Sequence, residues 1–182
     1  WQQQVFVAGV FAGFLGINQD TFQANWVHTD IFLVALDTSG QWLWQQQFGG
    51  AYSNHARKLK CAQGHLYLAG DFVGALTIGT NALATAERWS DAFLAKFRLD
   101  GTVDWTTQSH SASDCVVRDL AANDSQLLVV GYFRAAFDWA GQTITAVDGL
   151  DAFQLLLDTN AIDALVLSVV GGGNDLANAC IL

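Results

Sequence analysis

Acidic residues recur along this chain at a fixed spacing, and carboxylates so arranged could hold a cation. Asp30, Asp91 and Asp151 stand at intervals of 61 and 60 residues; Asn54, Asp114 and Asp175 stand at 60 and 61. Oxygen donors at loop ends suit Ca²⁺, which takes roughly six to eight of them. The competing reading is turn capping, because Asp and Asn side chains commonly bond nearby backbone N–H groups. One such residue per repeat, with no D-x-D-x-D-G loop anywhere, favours capping. Ca²⁺ is the only cofactor the pattern admits.

The chain has seven Trp. Trp26 and Trp89 lie in NWVHTD and ERWSD, just ahead of Asp30 and Asp91. A loop Trp can stack on a sugar ring while neighbouring Asp and Asn bond its hydroxyls. Trp26, His28, Asp30, Trp89, Asp91 and Asp151 are therefore the candidate ligand-binding set, and Asn54, Asp114 and Asp175 the candidate metal set. The four His have neither HxH nor HExxH spacing. His28 with Asp30 and His110 with Asp114 come nearest to an acid–base pair. Ser109, Ser111 and Ser113 flank His110, but no G-x-S-x-G elbow exists. GGGND lies between expected strands, not ahead of a helix, so it is no phosphate loop. No catalytic residue is assigned, and the chain reads as a non-enzyme.

Composition narrows the partners. A formal charge of −9 argues against nucleic acid, which is usually met by a basic patch. Lys58 and Lys60 share one face of an expected strand and read as a solvated face. No apolar run approaches the roughly 18 residues of a membrane helix. Cys61, Cys115 and Cys180 have no metal-ligand spacing and occupy different places in the repeat. They read as buried free thiols, with one disulfide and a spare Cys the alternative in an oxidising compartment.

The elements that position these residues follow from the repeat. Gly9, Gly70 and Gly131 end VFVAG, LYLAG and LLVVG, 61 residues apart, each with Phe two residues on. Gly40 and Gly101 mark a turn, and Trp44 and Trp105 follow four residues later; Ala161 and Leu165 replace them in the third copy. Trp44 and Trp105 are expected to pack between repeats. The units run approximately 2–63, 64–123 and 124–182. Each predicts four strands: VFVAGVFAGFLGI, IFLVALD, WLWQQQFGG and HARKLKCAQ in the first, with CVVRDLAAN and LANACIL as later copies of the last. The runs are short, β-branched or aromatic, and bounded by turn residues. Four-stranded units without helices predict an all-β run of propeller blades, and apolar runs such as IFLVAL suit a sheet sandwiched between neighbours.

VFVAGVF, TDIFLVALDTSGQWLWQQQFGG and GGGNDLANA, with LYLAGDF and SDAFLAKFRLDGTVDW in the second copy, resemble the bacterial β-propeller repeats of the SBBP type. The second copy lacks the Gly-Gly, and the third lacks the turn Gly and the Trp. The resemblance spans the chain and implies secreted or surface-attached blades without a shared activity. The expectation is a non-catalytic extracellular scaffold, adhesion or assembly module. A glycan-binding module is the alternative, and a hydrolase or lyase the third reading. Three blades are too few for a ring, so the chain is expected to be a fragment of a longer propeller or a subunit that self-associates. In either case N- and C-terminal strands would share a blade.

Overall fold

The computed structural model describes residues 3–86, 88–161, 163–169 and 171–182. Its regular structure is all strand: β1 (Gln4–Phe11), β2 (Phe14–Ile17), β3 (Asp20–Gln23), β4 (Asp30–Asp37), β5 (Trp42–Phe48) and β6 (Asn54–Ala62). There follow β7 (His65–Val73), β8 (Ala75–Ile78), β9 (Asn81–Ala84), β10 (Ser90–Arg98), β11 (Val103–Ser111) and β12 (Cys115–Ala122). The last are β13 (Gln126–Phe133), β14 (Ala136–Trp139), β15 (Gln142–Thr145), β16 (Asp151–Asp158) and β17 (Ala164–Val169). All strand ladders are antiparallel. Sheet I has the order β1-β4-β5, sheet II β6-β7-β10-β11 continued at its edge by the hairpin β14-β15, and sheet III β12-β13-β16-β17; β2-β3 and β8-β9 are separate two-stranded hairpins. Sheets are offset from the sequence repeats, since β6 lies in the first repeat but in sheet II.

The in-phase residues of the sequence turn out to be cross-strand partners. Gly9, Gly70 and Gly131 lie opposite Phe32, Phe93 and Phe153. A Cβ on any of these glycines would press against the edge of the facing ring, and at Gly70 and Gly131 it would also strike the His55 and Val116 carbonyl oxygens. The Phe two residues beyond each Gly lies opposite the repeated Asp: Phe11 with Asp30, Phe72 with Asp91, Phe133 with Asp151. Side chains of a strand alternate between faces, so each ladder fixes what goes to which neighbour.

Sheet II is buried on both sides. On one face Leu66, Leu68, Phe93, Ala95 and Phe97 pack with Ile31, Leu33 and Phe48 of sheet I. On the other, Tyr67, Ala69, Ala92 and Leu94 pack with Leu127, Val129, Phe153 and Leu155 of sheet III. This explains why β10 is apolar at consecutive positions. Full burial of each such side chain contributes roughly 1.5–3 kcal/mol. Trp44 and Trp105 lie between sheets. Trp44 Nε1 donates to the Leu99 carbonyl at 2.8 Å, and Trp105 packs against the II/III core.

Three expectations are corrected. VFVAGVFAGFLGI is not one strand: it breaks after Phe11, at Gly13 with φ +69°, and FLGI starts the hairpin β2–β3. Hairpins β8–β9 and β14–β15 repeat this arrangement. LANACIL is not a strand in a ladder. It lies across Leu128, Val130, Ala152 and Val169 of sheet III, with no first strand of the β7 or β13 kind beside it. The thiols are all free, but only Cys115 is buried; Cys61 is exposed and Cys180 half-buried.

Candidate functional site: the cleft between the first two sheets

The repeated Asp residues stand at strand starts, each with its own partner. Asp30 accepts from Gln47 Nε2 at 2.7 Å. Asp91 accepts from Ser109 Oγ at 3.1 Å and Ser111 N at 2.7 Å. Asp151 accepts from Val147 N at 2.7 Å. Burial pushes the Asp91 carboxyl up to about 6, against the opposing pull of the Ser111 and Ser109 hydrogen bonds and the His110 ring.

Trp26, His28 and Asp30 do not converge. Trp26 is 73% exposed and meets Phe14 edge-on at 5.5 Å, while His28 turns to Tyr52 and Ser53. Trp89 is exposed in its loop, whereas Asp91 is buried.

Asn54, Asp114 and Asp175 stand at the junctions of successive sheets rather than together. Hydrogen bonds also revise their equivalence. Asn54 N donates to Thr29 O and Asp175 N to Leu150 O, each acceptor lying just before a repeated Asp. Asp114 Oδ1 instead accepts from Ser90 N, as Asn174 Oδ1 does from Leu150 N. The ladders place Asn54 opposite Phe72 and Cys115 opposite Phe133. Asn54, Cys115 and Asp175 are thus one structural position, and Asp114 and Asn174 another. Among the described residues no three His, Cys, Asp or Glu side chains gather as metal ligands. Lys58 does not sit free on its face: Nζ lies 3.3 Å from Asp119 Oδ1.

The concave feature at the site is a cleft of about 750 Å³ between sheets I and II, lined by Asp30, Gln46, Gln47, Gly49, Thr77 and Thr102, among others. Beside it, hairpin β8–β9 meets sheet I through one isolated bridge, Gly49 to Thr77, just beyond the end of β5. At the next junction β14 pairs with β11 at three positions, and Trp139 is buried there with Nε1 donating to Thr107 Oγ1 at 3.0 Å. The lining of the cleft combines carboxylate, amide, hydroxyl and backbone groups with the apolar side chains of Phe48 and Val103. Those groups bond polar ligands, and no nucleophile with an adjacent base is among them.

Sequence reasoning missed the glutamines that shape this region. Gln47 Nε2 donates to the Gln23 carbonyl at 2.7 Å, and Gln108 Nε2 to the Ala84 carbonyl at 2.9 Å. Each carbonyl oxygen of these side chains also accepts from the same residue's N–H, clamping a hairpin to the third strand of its repeat. The signal was present: Gln47 and Gln108 are 61 apart, as are Gln23 and Ala84. Ser168 stands at that place in the third copy, and there the hairpin supplies the amide instead: Gln142 Nε2 donates to the Ala164 carbonyl and Gln142 Oε1 accepts from Val166 N. Neither a family model nor a curated protein matches the chain.

Proposed function

We propose that the chain is a run of β-propeller blades of the secreted bacterial repeat type it resembles, acting as a non-catalytic extracellular scaffold, adhesion or assembly module. The observation that carries this is the two-sided burial of sheet II between sheets of the same plan. A four-stranded meander packed on both faces by copies of itself is the way propeller blades stack. Asp91, Asp114 and Asp151 accept hydrogen bonds from backbone N–H groups, which supports a structural role for them.

Glycan binding is the second reading. The cleft between sheets I and II favours it, because Asp30, Gln46, Gln47, Thr77 and Thr102 in its lining offer hydrogen-bonding groups to a sugar. A glycan array with and without calcium, run beside a broad hydrolase and lyase panel, tests both. The scaffold reading expects neither retention nor turnover. Glycan retention that is lost in Thr77→Ala or Trp26→Ala would promote the second reading, and turnover would overturn both.

A further inference from the structure

We propose that the inner edge of sheet II binds a carboxylate group, taken between the side chains of Arg57 and His55. The site stands apart from the cleft and rests on neither functional reading above. Its residues come from β6 and β7, strands inside the chain that contact β12 of sheet III, β6 also contacting β1 of sheet I.

One buried carboxylate sets the geometry. Asp71 lies directly opposite His55 in the β6–β7 ladder, and its side chain is only 4% exposed. His55 Nδ1 stands 2.9 Å from Asp71 Oδ2 and, facing a carboxylate, donates to it. Arg57 is the extra residue of a β-bulge, without a partner on β7. Bulges re-aim side chains. Here Arg57 Nε donates to Asp71 Oδ1 at 2.6 Å and Nη2 to Oδ2 at 3.2 Å. Imidazole and guanidinium are thus fixed on one oxygen, with 34% and 36% of their side chains exposed. His55 Nε2 and the rest of the guanidinium fork are left to a ligand.

The fold does not require this cluster. At the repeat position of Asp71 the other copies have Val10 and Tyr132, and opposite Tyr132 Val116 takes the place of His55. Arg118, in the equivalent bulge, has no carboxylate there and lies over the Tyr132 ring, 5.0 Å from its centroid. Replacing a buried ion pair by packed apolar side chains is often neutral or stabilising. Stacking of the sheets therefore gives no reason for His55 and Asp71 where neighbouring copies use Val.

Charge selects the ligand. The chain carries −9 overall, yet three of its eight Lys and Arg, namely Arg57, Lys58 and Lys60, fall within β6. Lys58 and Lys60 stand opposite Ala69 and Tyr67, on the face that His55 shares with Asp71. Asp71 pairs with Arg57, and Asp119 with Lys58 at 3.3 Å, so among the described residues Lys60 is the cation left over. One excess positive charge suits one carboxylate, whose two oxygens match the guanidinium fork. A free organic acid and a uronate in a glycan both offer that group.

The test is an NMR titration of the isotope-labelled chain with galacturonate, trigalacturonate, neutral galactose and inorganic phosphate. Saturable shifts of the His55 ring and Arg57 guanidinium signals are expected with galacturonate and not with galactose. Tighter binding of trigalacturonate would make the source a glycan chain, and equal binding a free acid; either supports the site. Arg57→Ala, and separately His55→Val with Asp71→Val, should each weaken binding about tenfold or more. The double variant installs residues of the other copies and should keep the near-UV tryptophan signal. Arg98→Ala, at the far end of β10, should bind as wild type does. A folded wild-type chain with no saturable shift overturns the proposal. Binding that survives both variants, or phosphate held more tightly than galacturonate, overturns it too.

Discussion

The junction between sheets I and II and the junction between sheets II and III are built from the same repeat, yet one is open at its outer end and the other sealed. In the second, β14 joins β11 by three residue pairs and Trp139 fills the space. In the first, Ile78 stands where Trp139 does, and a single bridge joins Thr77 of β8 to Gly49, just beyond β5. A smaller residue at one position thus coincides with a looser hairpin and a polar cleft. Repeats fix the stacking; the residues that differ between copies decide where space is left.

The largest expected effect tests that comparison directly. Trp139→Ala should cost about 4 kcal/mol, toward the upper range for large-to-small core changes, while Ile78→Ala should cost about 3 kcal/mol. Urea denaturation followed by circular dichroism checks the order; equal costs would mean that Trp139 does not seal its junction.

Protonation gives the next largest. The folded Asp91 carboxyl, raised by burial to about 6, lies above its unfolded value of roughly 3.9. The fold therefore binds the proton more tightly, and this group's contribution is fully present below the unfolded value and lost as pH rises through about 6. The change has an upper bound of roughly 3 kcal/mol. Asp91→Asn should flatten the stability profile between those two pH values, measured by denaturation across the range. An unchanged slope would assign the effect elsewhere.

The smallest effect separates two tryptophans at one repeat position. Trp44 Nε1 bonds the Leu99 carbonyl, but Trp105 Nε1 is buried without a partner. The equivalent carbonyl, of Thr159, accepts instead from Lys96 Nζ at 3.0 Å. Trp44→Phe should cost about 1 kcal/mol beyond its packing change, and Trp105→Phe should be near neutral or stabilising. Comparable losses for both would show that the orphaned N–H carries no penalty.

Much of the architecture was legible because the marked residues meet across strands. Gly9 and Phe32 are far apart in sequence and face each other in the ladder, so both had to recur together. The β2–β3 type of hairpin was not legible, since its strands are four residues long and FLGI reads as the tail of β1. Nor was the cleft: it depends on how many pairs a hairpin makes with the neighbouring sheet, which no spacing records. The set Asn54, Asp114 and Asp175 aligned in sequence but not in register: Asn54 and Asp175 each lie 24 residues beyond their repeated Asp and Asp114 only 23, and the residue missing between Gly131 and Asp151 hid the difference by leaving Asp114 and Asp175 a full 61 apart.

That missing residue falls between β15 and β16, in the loop matching residues 86–89 of the second copy. β10 sends Phe93 and Phe97 to one core and Ala92 and Leu94 to the other. A strand with two buried faces has parity: losing one residue within it would exchange the large and small side chains delivered to two cores at once. Loops carry no such parity. Length variation among copies of this repeat is thereby confined to loops, and the loops beside the repeated Asp are where copies can differ in length without repacking their sheets.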